Sequence, residues 1–345
     1  MFNNLKMTPP YFKQYSTDHI QSLIKKRLGE TKLGESIDVP QEESLQSFLE
    51  KTSATYIVAG IAEDIGVLAN YGNAGTATAW DSFLLSFLNI QANDYLAANA
   101  LAVIGHLSFD ELKIEIEKKL ISAEEKIQEY RKAVSIIDSA VVELIQLIVS
   151  YKKIPIIIGG GHNNAYPIIK GVALANSKAI NCINLDAHID YRLAEGRHSG
   201  NGFRYAKQEG FLEKYFVIGI HENYLPQMIL REVITSEDVG FITYEDIFIH
   251  QRKPWAQALE EAYQFTKSGN LIGIELDLDC IEYLPASAAT PCGVTSKEAR
   301  QYLTYMASNC NVAYLHICEG IAQHDRSNLV GKLINYLVSD FVKNS

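Results

Sequence analysis

The stretch INCINLDAHID, residues 180–190, contains the pattern that decides the fold of this chain. Its first six residues are mostly apolar and typical of a strand buried in a parallel sheet. Asp186, His188 and Asp190 follow at once, and because side chains alternate along an extended chain, all three point to one side. The pattern predicts an α/β fold in which a strand presents polar ligands at its carboxyl end.

Two further stretches have the same form. LIGIELDLD, residues 271–279, ends on Asp277 and Asp279, and IPIIIGGGH, residues 154–162, ends on His162 after three glycines that allow a tight turn. Buried carboxylates are too costly to leave without compensation, and cations are the simplest remedy. Helix capping alone is a poor explanation, because caps do not require acidic residues at every second position. The three stretches therefore predict a metal site made from six side chains: His162, Asp186, His188, Asp190, Asp277 and Asp279.

Strand-like and helical segments alternate from about Thr55 to the end of the chain. This alternation predicts a three-layer α/β/α architecture with a mainly parallel sheet, and it places the ligands at the carboxyl ends of strands. Residues 1–54 have few strand signals, and we expect them to form an extension of helices and loops packed on a catalytic domain of residues 55–345. A helical stretch from Phe109 to Tyr151 is expected to break near Ser122.

Composition narrows the class of protein. The formal net charge is −10 and no basic stripe offsets it, which argues against a nucleic-acid partner. The N-terminus lacks the apolar core of a signal peptide, and we expect no apolar run that spans a bilayer. The five cysteines include no Cys-x-x-Cys pair, which is typical of a cytoplasmic protein without structural disulfides. The sequence leaves homo-oligomerisation open.

The motifs resemble those of a known family. GGH at 160–162, DAHID at 186–190 and DLDCIE at 277–282 are similar, in order and spacing, to the three metal motifs of the ureohydrolases (arginases, agmatinases and formimidoylglutamases). The resemblance implies an arginase-like fold with two Mn²⁺ ions that share a bridging hydroxide. It implies that the first ion is held by His162, Asp186, Asp190 and Asp277. It implies that the second is held by Asp186, His188, Asp277 and Asp279.

Within this family the chain looks most like formimidoylglutamases, on GGGHNNAY at 159–166, HSGNGF at 198–203 and GIAEDIGV at 60–67. The resemblance implies hydrolysis of N-formimidoyl-L-glutamate to L-glutamate and formamide, a step of histidine degradation. An arginase or other guanidine hydrolase that releases urea is the first alternative. A non-catalytic metal-binding protein is the second, because Asn73 stands where the family pattern has Arg, and GIA at 320–322 replaces Val-Asn-Pro.

The resemblance and the expected chemistry of the site together indicate roles for single residues. Asp190 accepts or orients the proton of the hydroxide, and Glu319, at the end of LHICE 315–319, grips the amidine or guanidine group. His198, on a glycine-rich loop that we expect to be mobile, is the candidate general acid, with His221 as the alternative. The residues expected to bind substrate are Arg192, Asn201 and Arg204, and the two arginines suit carboxylates.

Overall fold

The computed structural model describes residues 9–41, 44–323, 325 and 327–345, and within them nine strands form one sheet. The order across the sheet is β1-β3-β2-β4-β9-β8-β5-β6-β7, with β1 antiparallel to β3 and every other pair parallel. The strands are β1 Phe12–Gln14, β2 Tyr56–Ala62, β3 Leu101–Ser108, β4 Ile154–Ile158, β5 Ile180–Leu185, β6 Leu212–Ile220, β7 Val239–Thr243, β8 Ile272–Asp277 and β9 Val312–Cys318.

Helices cover both faces of the sheet. Successive residues of β4 show this, because Ile156 and Ile158 belong to one hydrophobic cluster and Ile157 to the other. The first cluster includes residues of α4, α10, α11 and α12, and the second includes residues of α6 and α7, so the predicted three-layer α/β/α architecture is confirmed. The helices are α1 Thr17–Leu23, α2 Leu45–Lys51, α3 Ile65–Leu68, α4 Ala79–Phe87, α5 Asp110–Glu117, α6 Ala123–Ser150, α7 Ala165–Asn176, α8 Gly202–Gln208, α9 Gln227–Val233, α10 Trp255–Thr266, α11 Ser296–Asn309 and α12 Leu329–Asn344.

The long helical stretch is interrupted where the sequence indicates. Ser122 is the N-cap of α6, and its hydroxyl accepts a hydrogen bond from the backbone N–H of Glu125. Contrary to the expectation about apolar runs, α6 is long and apolar enough to cross a membrane by length and composition. Half of its most apolar stretch is buried inside the fold, as in the core helix of a sheet protein.

The N-terminal segment contributes more than the expected helices and loops. β1 extends the sheet by pairing with β3, and Tyr15 and Ile20 join the first hydrophobic cluster. A strand of three residues is too short to produce a readable alternation, and the free edge of β3 supplies the hydrogen bonds that define it.

Candidate metal centre

The three motifs meet at one edge of the sheet. Strands β4, β9, β8 and β5 are neighbours, and their carboxyl ends lie side by side. His162 follows β4 through the glycine turn, residues 186–190 follow β5, and Asp277 ends β8. Parallel strands thus gather residues that lie more than a hundred positions apart in the chain.

His162 lies at the centre of the first group of ligands. Its Nδ1 atom is 3.2 Å from Asp186 Oδ2, 2.9 Å from Asp190 Oδ2 and 3.1 Å from Asp277 Oδ2. His162 and Asp186 are fully buried, and Asp190 keeps 13% of its side chain exposed. One imidazole and three carboxylates that converge in this way form a four-donor site for a cation.

A second group of donors shares Asp186. It comprises Asp186, His188 and Asp279, with His188 Nδ1 3.2 Å from Asp279 Oδ2 and 3.7 Å from Asp186 Oδ1. Asp277, which the resemblance places in both sets, belongs here to the first group and accepts a hydrogen bond of 2.8 Å from the backbone N–H of Asp279. His188 is 29% exposed, so the pair of sites opens to solvent beside His188 and Asp190.

The pKa values of these groups reveal an excess of negative charge. Burial, and then the carboxylates of Asp279 and Asp186, raise the pKa of Asp277 well above its usual range. Burial and Asp186 raise the pKa of Asp190 to about 6. Burial alone would lower the pKa of His162, yet the surrounding anionic groups raise it well above its ordinary value. The cluster therefore favours positive charge at its centre, and its oxygen and imidazole donors fit divalent cations such as Mn²⁺.

Glu319 follows β9 at the same edge and is 3% exposed. Its Oε1 accepts a 2.6 Å hydrogen bond from the backbone N–H of His162, whereas Oε2 has no hydrogen-bond partner among the described residues. Burial is the main reason that the pKa of Glu319 is raised to about 8. Its φ of 64° and that of Asp190, 46°, lie in the left-handed region, where strain in non-glycine residues often accompanies a functional site.

The structure adds one residue that the sequence analysis missed, Glu63 after β2. This buried carboxylate accepts hydrogen bonds from the backbone N–H groups of Gly66 and Gly161 and from the amide of Asn164. It therefore fixes the glycine turn that presents His162. The acidic residue directly after the apolar strand 56–62 is the signal that could have revealed it.

Glu275 and His316 form a second missed feature, on the adjacent strands β8 and β9. Glu275 Oε2 lies 2.6 Å from His316 Nδ1, and both residues are fully buried. Burial would raise the pKa of Glu275, but the two neighbouring histidines, His316 and His162, lower it to about 2. The described part of the chain offers the Nε2 of His316 no hydrogen-bond partner.

His198, the candidate general acid, is a buried residue of its loop. It is fully buried, its Nδ1 accepts a 3.1 Å hydrogen bond from the backbone N–H of Gly200, and its Nε2 lies 3.5 Å from Glu195 Oε1. Burial lowers the pKa of His198 to about 3, and nearby arginines contribute. The imidazole is therefore neutral near pH 7, which does not suit a general acid in this conformation. The buried Arg197–Asp138 ion pair holds the loop in place, and the sequence gives no sign of that pairing.

Asn201 and Arg204 also differ from their expected roles. Both polar ends of the Asn201 amide are used inside its own loop: Oδ1 accepts from Arg197 Nη1 and from the backbone of His198, and Nδ2 donates to two carbonyl groups. Arg204 is 6% exposed and makes a bidentate pair with Glu232 at 2.8 and 2.9 Å. These contacts engage both side chains in the packing of the loop and of α8.

Arg192 and His221, two further residues with predicted roles, are both at least partly exposed to solvent. The side chain of Arg192 is 53% exposed, two residues after Asp190, with Nη2 3.8 Å from Glu195 Oε1. His221 stacks on Tyr244 at 4.8 Å between ring centroids. Asn73, where the family pattern has Arg, donates from Nδ2 to the carbonyl of Ser287 at 2.8 Å.

Comparison with known proteins agrees with this fold. The family model described as the arginase family matches residues 89–342. The chain belongs to the arginase family.

Relatives of known function share moderate identity with the chain. It is 28% identical over 286 residues to a formimidoylglutamase of Macrococcus caseolyticus, a match that covers 81% of this chain and 82% of that protein. It is 31% identical over 199 residues to a formimidoylglutamase of Streptococcus pyogenes, covering 53% of this chain and 60% of that one. The second match thus spans about three fifths of the streptococcal protein.

Solved structures show the same fold. The Trypanosoma cruzi formiminoglutamase crystallised with Mn²⁺ has a TM-score of 0.71 and 18% identity, and the match covers 91% of this chain and 98% of that one. The formimidoylglutamase of Bacillus subtilis has a TM-score of 0.72 and 17% identity, with 93% of each chain covered.

Proposed function

We propose that this protein is a binuclear manganese hydrolase that cleaves a C–N bond of a linear amidine. The observation that carries the proposal is the pair of ligand groups that share Asp186 at one strand edge. The family membership supports it, as do the names of the relatives, which are formimidoylglutamases, and the Mn²⁺ in the structure from T. cruzi.

Two bound cations would lower the pKa of a shared water from about 15.7 toward neutrality and so supply hydroxide at cellular pH. Asp190, partly exposed beside the ligand cluster, is the residue proposed to orient that nucleophile and to accept its proton. With His198 neutral and buried, Asp190 is also the better source of the proton that the leaving amine needs, and His221 is the alternative. His198 retains a role in shaping the loop.

Glu319 is the proposed anchor of the amidine. Its free Oε2 and its raised pKa are those of a buried carboxylate that lacks a cationic partner, and an amidinium group supplies both charge and N–H donors. Pairing with Glu319 holds the amidine carbon over the ligand cluster, which favours attack by restricting orientation.

The proposed substrate is N-formimidoyl-L-glutamate. Water adds to the amidine carbon, the bond to the glutamate nitrogen breaks, and formamide and L-glutamate leave. Arg192 is the proposed contact for a carboxylate of the glutamate tail, because it is exposed and close in sequence to Asp190. A role in histidine degradation follows from this substrate. A cytoplasmic location without a nucleic-acid or membrane partner is part of the same proposal, and the net charge of −10 supports the absence of a nucleic-acid partner.

A substrate panel tests the proposal. The Mn²⁺-loaded protein is assayed with formimidoylglutamate, arginine and agmatine, and formamide and urea are measured separately. We expect formamide from formimidoylglutamate at the highest kcat/KM. Urea from arginine at a higher kcat/KM would overturn the substrate assignment and favour a guanidine hydrolase. No turnover of any amidine or guanidine would favour a metal-binding protein without catalysis.

A further inference from the structure

The buried carboxylate of Glu275 lies close to three polar side chains. Tyr314 Oη donates to Oε1 at 2.7 Å, and His316 Nδ1 lies 2.6 Å from Oε2. The same Oε2 lies 3.4 Å from His162 Nε2. Glu275 and His316 are register partners across β8 and β9, so the sheet itself fixes this arrangement.

The chemistry of the carboxylate determines which atoms carry hydrogen. An ionised carboxylate only accepts hydrogen bonds, so His316 donates to Glu275 from Nδ1. A cation held by the first group of ligands would bind the lone pair of His162 Nδ1, the nitrogen that faces Asp186, Asp190 and Asp277, and would leave the hydrogen on Nε2. This Nε2 lies 3.4 Å from Glu275 Oε2 and makes no hydrogen bond within the described part of the chain. Cys318 is the other polar neighbour of His162, and its S–H is directed toward the carbonyl of Leu276 at 3.8 Å.

We propose that Glu275 is a positioning residue for the first metal ion, which selects the tautomer of His162 and increases the basicity of its Nδ1, while His316 holds the carboxylate of Glu275 in place. The inference rests on the proposed function, because it assumes that a cation occupies the first group of ligands. Carboxylates that accept a hydrogen bond from the non-ligating nitrogen of a metal-bound histidine typically change metal affinity by about 10- to 100-fold.

Substitutions at Glu275 and at His316 should affect the first metal ion differently. Removing the charge of Glu275 takes an acceptor away from His162. Removing the imidazole of His316 leaves Glu275 charged, with His162 as the imidazole that remains beside it. The two substitutions therefore have opposite consequences for the first metal ion, although both disturb the same buried cluster.

The test uses the full chain with Asp279→Ala, which disables the second group of ligands and leaves one ion to titrate. Mn²⁺ affinity is measured by calorimetry, and the Mn²⁺ spectrum by electron paramagnetic resonance, in this background alone and with Glu275→Gln, Glu275→Asp or His316→Gln. We expect Glu275→Gln to weaken Mn²⁺ binding about 10- to 100-fold. We expect Glu275→Asp, which keeps the charge, to recover most of that loss, and His316→Gln to bind within about threefold of the background or more tightly.

Melting temperatures of the metal-free variants show whether a substitution destabilises the fold or weakens only Mn²⁺ binding. Equal losses of affinity in Glu275→Gln and His316→Gln, or unchanged affinity in Glu275→Gln, would overturn the inference. If Glu275→Gln does not fold, a loss of more than tenfold in His316→Gln would overturn it by itself. Failure of the unsubstituted protein to bind Mn²⁺ would instead refute the proposed function, and that outcome is distinct.

Discussion

Replacing Glu319 with Gln is expected to stabilise the metal-free protein and to impair the loaded enzyme. The folded-state pKa of Glu319 is about 8, against an ordinary value of 4.5. The folded protein therefore binds this proton more tightly than the unfolded chain, and the carboxyl costs stability increasingly as pH rises from about 4.5 to 8. At 1.36 kcal/mol per pKa unit, removing the charge restores on the order of 2–5 kcal/mol near pH 8.5 and little near pH 4.5.

Activity is expected to change in the opposite direction. The proposed pair between Glu319 and the amidinium is a charge-assisted interaction worth about 1.5–3 kcal/mol, or somewhat more when buried, so kcat/KM should fall about a hundredfold. Metal content should stay intact, because Glu319 belongs to neither ligand group.

The assay compares Glu319→Gln with Glu282→Gln, the same change at a carboxylate that belongs to neither ligand group. Melting temperatures are recorded in EDTA at pH 5.5 and 8.5, and kinetics in Mn²⁺. The reasoning is refuted if Glu319→Gln gains no more stability at pH 8.5 than at pH 5.5, or if its kinetics match the wild type with full metal occupancy.

Other substitutions test other parts of the site. Asp279→Ala should remove mainly one ion, whereas Asp186→Ala should disturb both, because Asp186 belongs to both groups; metal analysis of the two variants decides, and equal losses would contradict the division. Arg192→Ala should raise KM about tenfold at nearly constant kcat, and an unchanged KM would remove Arg192 from the substrate contacts. Arg204→Ala should instead lower the free energy of unfolding by about 1–3 kcal/mol with KM unchanged, and a selective rise in KM would restore it to the substrate site. When free Mn²⁺ is a hundredfold above its Kd, removing it with EDTA should lower the free energy of unfolding by about 2.7 kcal/mol per site. A melting temperature that does not change with EDTA would contradict this link between metal binding and folding.

The sequence was sufficient to predict the architecture and the position of the ligand cluster. Apolar strands followed by Asp-x-His-x-Asp, Asp-x-Asp and Gly-Gly-Gly-His carry their information locally, because each run of ligands comes directly after its strand. The expected extended alternation through the ligands is wrong, since β5 ends at Leu185 and Leu278–Cys280 form a 3₁₀ turn. Parallel pairing then brings the strand ends to one edge without further detail from the loops.

The loop residues were harder to predict, because their partners lie far away in the chain. Arg204 is neutralised by Glu232 on α9, and the loop that buries His198 is held by the pairing of Arg197 with Asp138 on α6. Neither pairing leaves a local pattern in the sequence. An arginine near a metal motif is as compatible with buried packing as with substrate binding, and only the fold distinguishes the two.

The buried acidic residues that support the ligands are harder to predict than the metal motifs and easier to predict than the loop contacts. Glu63 and Glu275 each interrupt or follow an apolar strand, and an ionisable residue there signals a specific partner. The identity of that partner depends on register. Glu275 faces His316 because β8 and β9 pair in one particular alignment.

Metal stoichiometry tests the central claim most directly. The purified protein is stripped with chelator, loaded with Mn²⁺, freed of excess ion and analysed for bound manganese per chain. The shared carboxylate of Asp186 and the two groups of ligands around it predict close to two ions. One ion or fewer at saturating Mn²⁺ would contradict the binuclear account.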